Sequence, residues 1–216
     1  MGHGHDHSHG LTGTAKHRKR LVAVLAITLG VVVIQIAGAL VSGSLALLAD
    51  AGHMLSDAAG VFIALLAAWI ATRPASDQRT YGYQRAEVLA ALANALVLIV
   101  ISVVIFTEAI RRLGSAPEVQ TDVMLYAAVL GAVANLVSLL ILRGAQKESL
   151  NVRGAYLEVL GDLLGSFAVI AAALVIMVTG FQTADTIASI VIALMILPRA
   201  WHLLRDVVDV LLEASP

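Results

Sequence analysis

Leu45-Ala-Leu-Leu-Ala-Asp50-Ala-Gly-His53-Met-Leu-Ser-Asp57 sets three ionisable side chains inside apolar sequence, and Glu158-Val-Leu-Gly-Asp162 sets two more further along. His53 and Asp57 stand four residues apart, as do Glu158 and Asp162. On a helix, positions i and i+4 share a face. An ionisable residue at the centre of a membrane costs roughly 2.5–3.5 kcal/mol on insertion scales. Two such pairs in apolar helices therefore need a shared purpose, and the simplest is to hold one divalent cation between two helices. The competing reading is a metal-free cluster of hydrogen bonds and ion pairs. Neither motif segment carries an interior Lys or Arg to neutralise its acids.

The composition agrees with a membrane setting. Of 216 residues, 59% are hydrophobic and 13% charged, and mean hydropathy is +0.89. This is the composition of a polytopic membrane protein. There is no cysteine, so any metal site uses His, Asp, Glu or backbone oxygen. The start is polar and His-rich, unlike a cleavable signal. Net charge is −1, and neither a nucleic-acid partner nor an organic cofactor is expected.

A spanning helix takes about 20 apolar residues. The uncharged run Leu21–Ala49 is broken only at Ser42-Gly43-Ser44, so a first helix is expected to end near Val41 and a second to start near Leu45. Arg73-Pro74 stops the second after Thr72. Further helices are expected at about Arg85–Leu113, Asp122–Leu142, Val152–Val178 and Ala184–Leu204. The fold class is thus an all-α membrane protein with six transmembrane helices. Six spans put both termini on one side. Lys16, Arg18, Lys19, Arg20, Arg73, Arg79, Arg85, Arg143, Lys147, Arg153, Arg199 and Arg205 fall on that side, and only Arg111 and Arg112 on the other. By the positive-inside rule both termini are cytoplasmic. Arg199 and Arg205 are read here as closing the sixth helix.

In this topology the second and fifth helices are antiparallel. His53 should lie level with Asp162, and Asp57 level with Glu158. Zinc takes four nitrogen and oxygen ligands in a tetrahedron when thiolates are absent, and these four residues are the candidate metal ligands. Gly52, Ser56 and Gly60 form one small-residue row and Gly161 and Gly165 another. Such rows let helices approach closely in lipid, so both motif helices look built to touch. Asp50, one turn outward from His53, is either an exit-side relay or an N-terminal helix charge satisfied by the dipole. For Gln35, Asn94 and Asn135 the default is interhelical hydrogen bonding, with support of the metal ligands as the lesser reading for Asn94 and Asn135. His3, His5, His7 and His9 alternate with small and polar residues, as in a metal-gathering tail. Residues 1–20 are expected to be disordered.

The stretches Ser44–Asp57, Thr80-Tyr-Gly-Tyr-Gln-Arg-Ala-Glu-Val-Leu-Ala-Ala-Leu-Ala-Asn94 and Asn151-Val-Arg-Gly-Ala-Tyr-Leu-Glu-Val-Leu-Gly-Asp-Leu-Leu-Gly-Ser166, in this order, resemble the cation diffusion facilitator family, bacterial zinc-transporter-like branch. The resemblance covers residues 16–216. It implies a bacterial inner-membrane protein whose transport domain spans residues 21–205 and exports zinc and related divalent ions in exchange for protons. It also implies homodimers, and its transport ligands map onto His53, Asp57, Glu158 and Asp162. The chain departs from the family at Glu158, where the branch usually has His. A carboxylate there is harder than imidazole and alters ion preference. It departs also at Gln84, often His, and at residues 206–216, a stub where a cytoplasmic domain usually begins.

The mechanism expected is alternating access around one midplane site, where protons and metal compete for the same ligands. His53 is the natural proton carrier, since imidazole ordinarily titrates near about 6.5. Four protein ligands leave no open metal position, which argues against an enzyme. The rival readings are a passive divalent-cation channel, for which a compact tetrahedral site holds its ion too long, and a metal-sensing membrane partner that does not transport.

Overall fold

The computed structural model describes residues 9–71, 84–148 and 150–212. Among them run six helices and no strand: α1 (His9–Ser42), α2 (Leu45–Ala71), α3 (Gln84–Arg112), α4 (Thr121–Arg143), α5 (Leu150–Thr179) and α6 (Thr183–Leu211). Most boundaries fall within a residue or two of those expected. Two do not. α1 begins at His9 rather than near Leu21, because nothing between those positions breaks a helix as Pro would. Residues 9–20 are therefore helical, contrary to the expectation for the tail, while residues 1–8 lie outside the described residues. α6 runs on to Leu211, well past Leu204, even though Pro198 lies inside it.

The turn between α1 and α2 is tight for local reasons. Gly43 has φ 73°, the left-handed conformation that ends many helices and favours glycine. Its N–H donates back to Ala39 at 2.9 Å. Ser44 then caps α2, its Oγ accepting from Leu47 N at 3.0 Å. Gly180, with φ 71°, ends α5 in the same way, donating to Ile176 at 2.7 Å.

In cross-section the helices form a ring in the order α1, α2, α3, α6, α5, α4, closed by α4 against α1, with α2 also reaching α5 and α6. Alternation along the chain makes α2 and α5 antiparallel. Small side chains fill the contacts: Ala46, Ala49, Ala51, Ala128 and Ala173 are all fully buried. The outward surface is apolar to an extent only lipid tolerates, with Val178 84%, Leu40 73% and Val33 68% exposed. Among the described residues, five helices (all but α2) are long and apolar enough to cross a membrane. The chain is a multi-pass membrane protein.

The small-residue rows do not act as expected. The Gly52, Ser56 and Gly60 row faces α3: a Cβ on Gly52 would meet Ile101, and one on Gly60 would meet Asn94. Ser56 Oγ donates to Asn94 Oδ1 at 2.9 Å. On α5, Gly161 faces open space, and only Gly165 closes on α2, where a Cβ would collide with Asp50 Oδ1.

Candidate metal site

Because α2 and α5 run in opposite directions, the two i,i+4 pairs meet in two tiers. In one tier His53 Nε2 lies 3.8 Å from Asp162 Oδ1. In the other, Asp57 and Glu158 face a common partner, Arg199 of α6. His53 Nε2 also lies 3.6 Å from Asp57 Oδ2, so the imidazole links the tiers. His53, Asp57 and Asp162 present one ligand atom each, all within 4.8 Å of one another. Glu158 stands outside that group.

The spacing suits a small divalent ion. A tetrahedron with bonds of about 2.1 Å has edges of about 3.4 Å. The two nitrogen–oxygen separations, 3.6 and 3.8 Å, sit a few tenths above that edge, and all three ligand atoms lie within 4.8 Å of one another. Satisfaction tells the same story. Asp57 Oδ2, Asp162 Oδ1 and His53 Nδ1 are buried with no hydrogen-bond partner. Buried polar atoms are almost always paired, so two converging orphaned carboxylate oxygens beside an imidazole mark a place for a cation.

Arg199 is the residue that sequence reasoning misplaced. Its Nη2 donates to Glu158 Oε1 at 2.9 Å. Its Nη1 lies 3.2 Å from Asp57 Oδ2, an ion pair without hydrogen-bond alignment, and 3.5 Å from His53 Nε2. Treating Arg199 as a charge at the cytoplasmic end of the last helix hid this. The available signal was the absence of any Gly or Pro after it before Leu211. Side-chain exposure rises across the site from Asp162, 3%, through His53 and Asp57, each 11%, to Glu158, 35%, and Arg199, 39%. The site is therefore closed at the Asp162 tier and opens at the Glu158 tier.

Asp50 lies beyond the closed tier. It does not sit at a free helix terminus. Its Oδ2 accepts from Gln35 Nε2 of α1 at 2.9 Å and from Ser166 Oγ of α5 at 3.2 Å. A Cβ on Gly131 of α4 would collide with Gln35 Nε2, so four helices cross at this carboxylate. Gln35 makes the interhelical bond expected of it, although its Oε1 is unpaired. Asn94 accepts from Ser56 and bonds none of the three acids or the imidazole among the described residues. Asn135 is fully buried with both amide atoms unpartnered among the described residues. His3, His5 and His7 lie outside the described residues, and His9 is the first residue of α1.

A second acid, Asp185 of α6, was not singled out from the sequence. It caps α2 from across the bundle: Oδ1 accepts from Ser44 Oγ at 2.6 Å and Ala46 N at 3.2 Å, and Oδ2 accepts from Leu45 N at 2.8 Å. An acid opening α6 is readable as a helix N-terminal charge, which gave no hint of a neighbouring helix.

Comparison with known proteins follows the same lines. Residues 21–212 match the family described as the cation efflux transmembrane domain. The chain is 45% identical over 216 residues to the cation efflux system protein CzcD of Alcaligenes sp. (strain CT14), covering 100% of this chain and 67% of that protein. It is 44% identical over 217 residues to the zinc transporter ZitB of Escherichia coli (strain K12), covering 100% and 69%. It is 40% identical over 215 residues to the cadmium, cobalt and zinc/H(+)-K(+) antiporter of Bacillus subtilis (strain 168), covering 99% and 68%.

Proposed function

Because the chain belongs to the cation efflux family, we propose that it exports zinc and related divalent transition-metal ions from the cytoplasm by antiport against protons, with His53, Asp57 and Asp162 as ligands and Glu158 as the fourth. The observation that carries this is the convergence of His53 Nε2, Asp57 Oδ2 and Asp162 Oδ1 within 4.8 Å of one another, the two oxygens lacking hydrogen bonds. The names of the relatives, a zinc transporter and a cadmium, cobalt and zinc antiporter among them, support the choice of ion and of exchange.

In this reading the chain crosses a bacterial inner membrane six times with both termini cytoplasmic, which the Lys and Arg distribution supports. The tier of Asp57 and Glu158 then faces the cytoplasm, and the exposure gradient makes it the entry side. The transported ion is the substrate, and it reaches His53 and Asp162 after passing that tier. His53 and the carboxylates must be unprotonated to bind it. Protons arriving when the site faces outward compete for the same atoms and expel the ion. Residues 21–205 make up this transport unit, and the His-rich start gathers ions beside it. Homodimeric assembly is carried over from the family resemblance. Asp50, tied to Gln35 and Ser166 beyond the closed tier, is the proposed exit-side relay.

The test is zinc flux into proteoliposomes driven by a pH gradient, with the full chain as the only protein. The wild type gives saturable, proton-coupled flux. Normal flux by Asp57→Ala or Asp162→Ala proteins would refute the ligand assignment, and flux that ignores the proton gradient would refute antiport.

A further inference from the structure

A guanidinium in a membrane helix is expensive unless acids or water receive it. Arg199 does not reach past the site toward solvent but forks into it: one nitrogen bonds Glu158 at 2.9 Å and the other lies 3.2 Å from Asp57 and 3.5 Å from His53. Three of the four proposed ligands are thus in its grasp. Asp162 is the fourth, and its Oδ1 lies 3.8 Å from His53 Nε2 without a hydrogen bond. The guanidinium is tethered to α6 by its own side chain, so it gives up these acids only by swinging away.

A divalent ion bound to Asp57 and Glu158 takes the oxygens that the guanidinium now holds, and like charges cannot share them at these distances. Conversely, an ion leaving the site strands buried acids, and uncompensated buried charge is strongly disfavoured. One long side chain that trades places with the ion answers both problems. Pro198, directly before Arg199, has no N–H to give to Leu194, so the helix is not fully hydrogen-bonded where the side chain leaves it.

We propose that Arg199 is a tethered counter-cation that occupies the acidic tier of the metal-free carrier and is exchanged for the incoming divalent ion at Asp57 and Glu158. This rests on the ligand assignment proposed above. In the metal-free state the guanidinium holds Asp57 and Glu158. The ion displaces it, and it returns as the ion departs outward. Arg199 thereby weakens metal binding and speeds metal release, the opposite of what a structural clasp does.

The experiment measures zinc binding to the purified full chain and zinc flux in proteoliposomes for wild type, Arg199→Gln, Arg199→Lys and Asp162→Ala. Exchange predicts that Arg199→Gln binds zinc up to about fivefold tighter, the scale of a part-exposed ion pair, and that KM and kcat fall together. Arg199→Lys keeps the charge but not the fork, and falls between wild type and Arg199→Gln in both quantities. Unchanged or weaker zinc binding by Arg199→Gln overturns the proposal. If that protein does not fold, Arg199→Lys carries the test: tighter zinc binding than wild type supports exchange, and equal or weaker binding overturns it. The Asp162→Ala protein separates the two readings. If it loses zinc binding, the ligand assignment stands and the arginine results bear on exchange alone. If it binds zinc as wild type does, the ligand assignment itself has failed. In zinc-loaded wild type, the Arg199 Nη2 to Glu158 Oε1 distance opens beyond about 4 Å, the limit of an ion pair; a retained 2.9 Å contact contradicts exchange.

Discussion

Asp185 and Asp162 are both buried carboxylates in apolar helices, and they are used in opposite ways. Asp185 receives Ser44 Oγ and two backbone N–H groups, spread over both its oxygens. Asp162 has an orphaned Oδ1, facing an imidazole at 3.8 Å. The first is a finished structure, in which the acid completes the N-terminus of α2 and pins α6 to it. The second, on the proposed reading, is unfinished until a cation arrives. Residue type and burial do not distinguish the structural acid from the proposed ligand. The state of the oxygens does.

The largest effect that tests this contrast is on transport. Asp57→Ala and Asp162→Ala should each cut zinc flux by more than about a hundredfold, a loss reached elsewhere when a group merely supporting a ligand is removed. Asp162→Ala should keep its thermal stability in the absence of zinc, since no satisfied hydrogen bond is lost with its orphaned Oδ1, whereas Asp57→Ala also takes an ion-pair partner from Arg199 and should lose some. Asp185→Ala should do the reverse. Losing the cap and its charge-assisted bonds costs about 2–4 kcal/mol, read as a drop in Tm, while the folded fraction binds zinc with unchanged Kd. A stable Asp185→Ala protein that cannot bind zinc would break the comparison.

The glycines of α5 sharpen it at smaller scale. Gly165→Ala forces a methyl onto Asp50 Oδ1 and should cost about 1–3 kcal/mol, as overpacking does. Gly161→Ala meets nothing and should leave stability within about 1 kcal/mol of wild type, in the direction of a gain. Thermal unfolding of both in the same detergent checks the pair.

Acidity gives the smallest step. Zinc binds only the unprotonated ligands, so lowering pH must weaken it, by about tenfold per pH unit for each proton displaced. Titration calorimetry across pH checks the sign, and affinity that rises on acidification contradicts it. Asp185, which takes no part in binding, should leave this pH dependence unchanged when replaced by Asn.

The sequence disclosed the antiparallel pairing of α2 and α5 and the levels of their acids, because four-residue spacing and alternating spans are local and topological facts. His53 does stand against Asp162, and Asp57 does stand level with Glu158 across one arginine. What stayed hidden came from α6. Arg199 looked like one more positive charge at a membrane edge, and Asp185 like the first-turn acid of its own helix. Both roles depend on which neighbour α6 packs against, and no periodicity within α6 encodes that. The small-residue row of α2 misled for the same reason: spacing marks a close approach, but not whether α3 or α5 makes it.

The most direct test is an anomalous difference map collected at the zinc edge from crystals of the full chain saturated with zinc. One peak about 2.1 Å from His53 Nε2 and from carboxylate oxygens of Asp57 and Asp162 is the predicted result. A map with no peak there, or with the peak against other residues while these three remain as they are, contradicts the account.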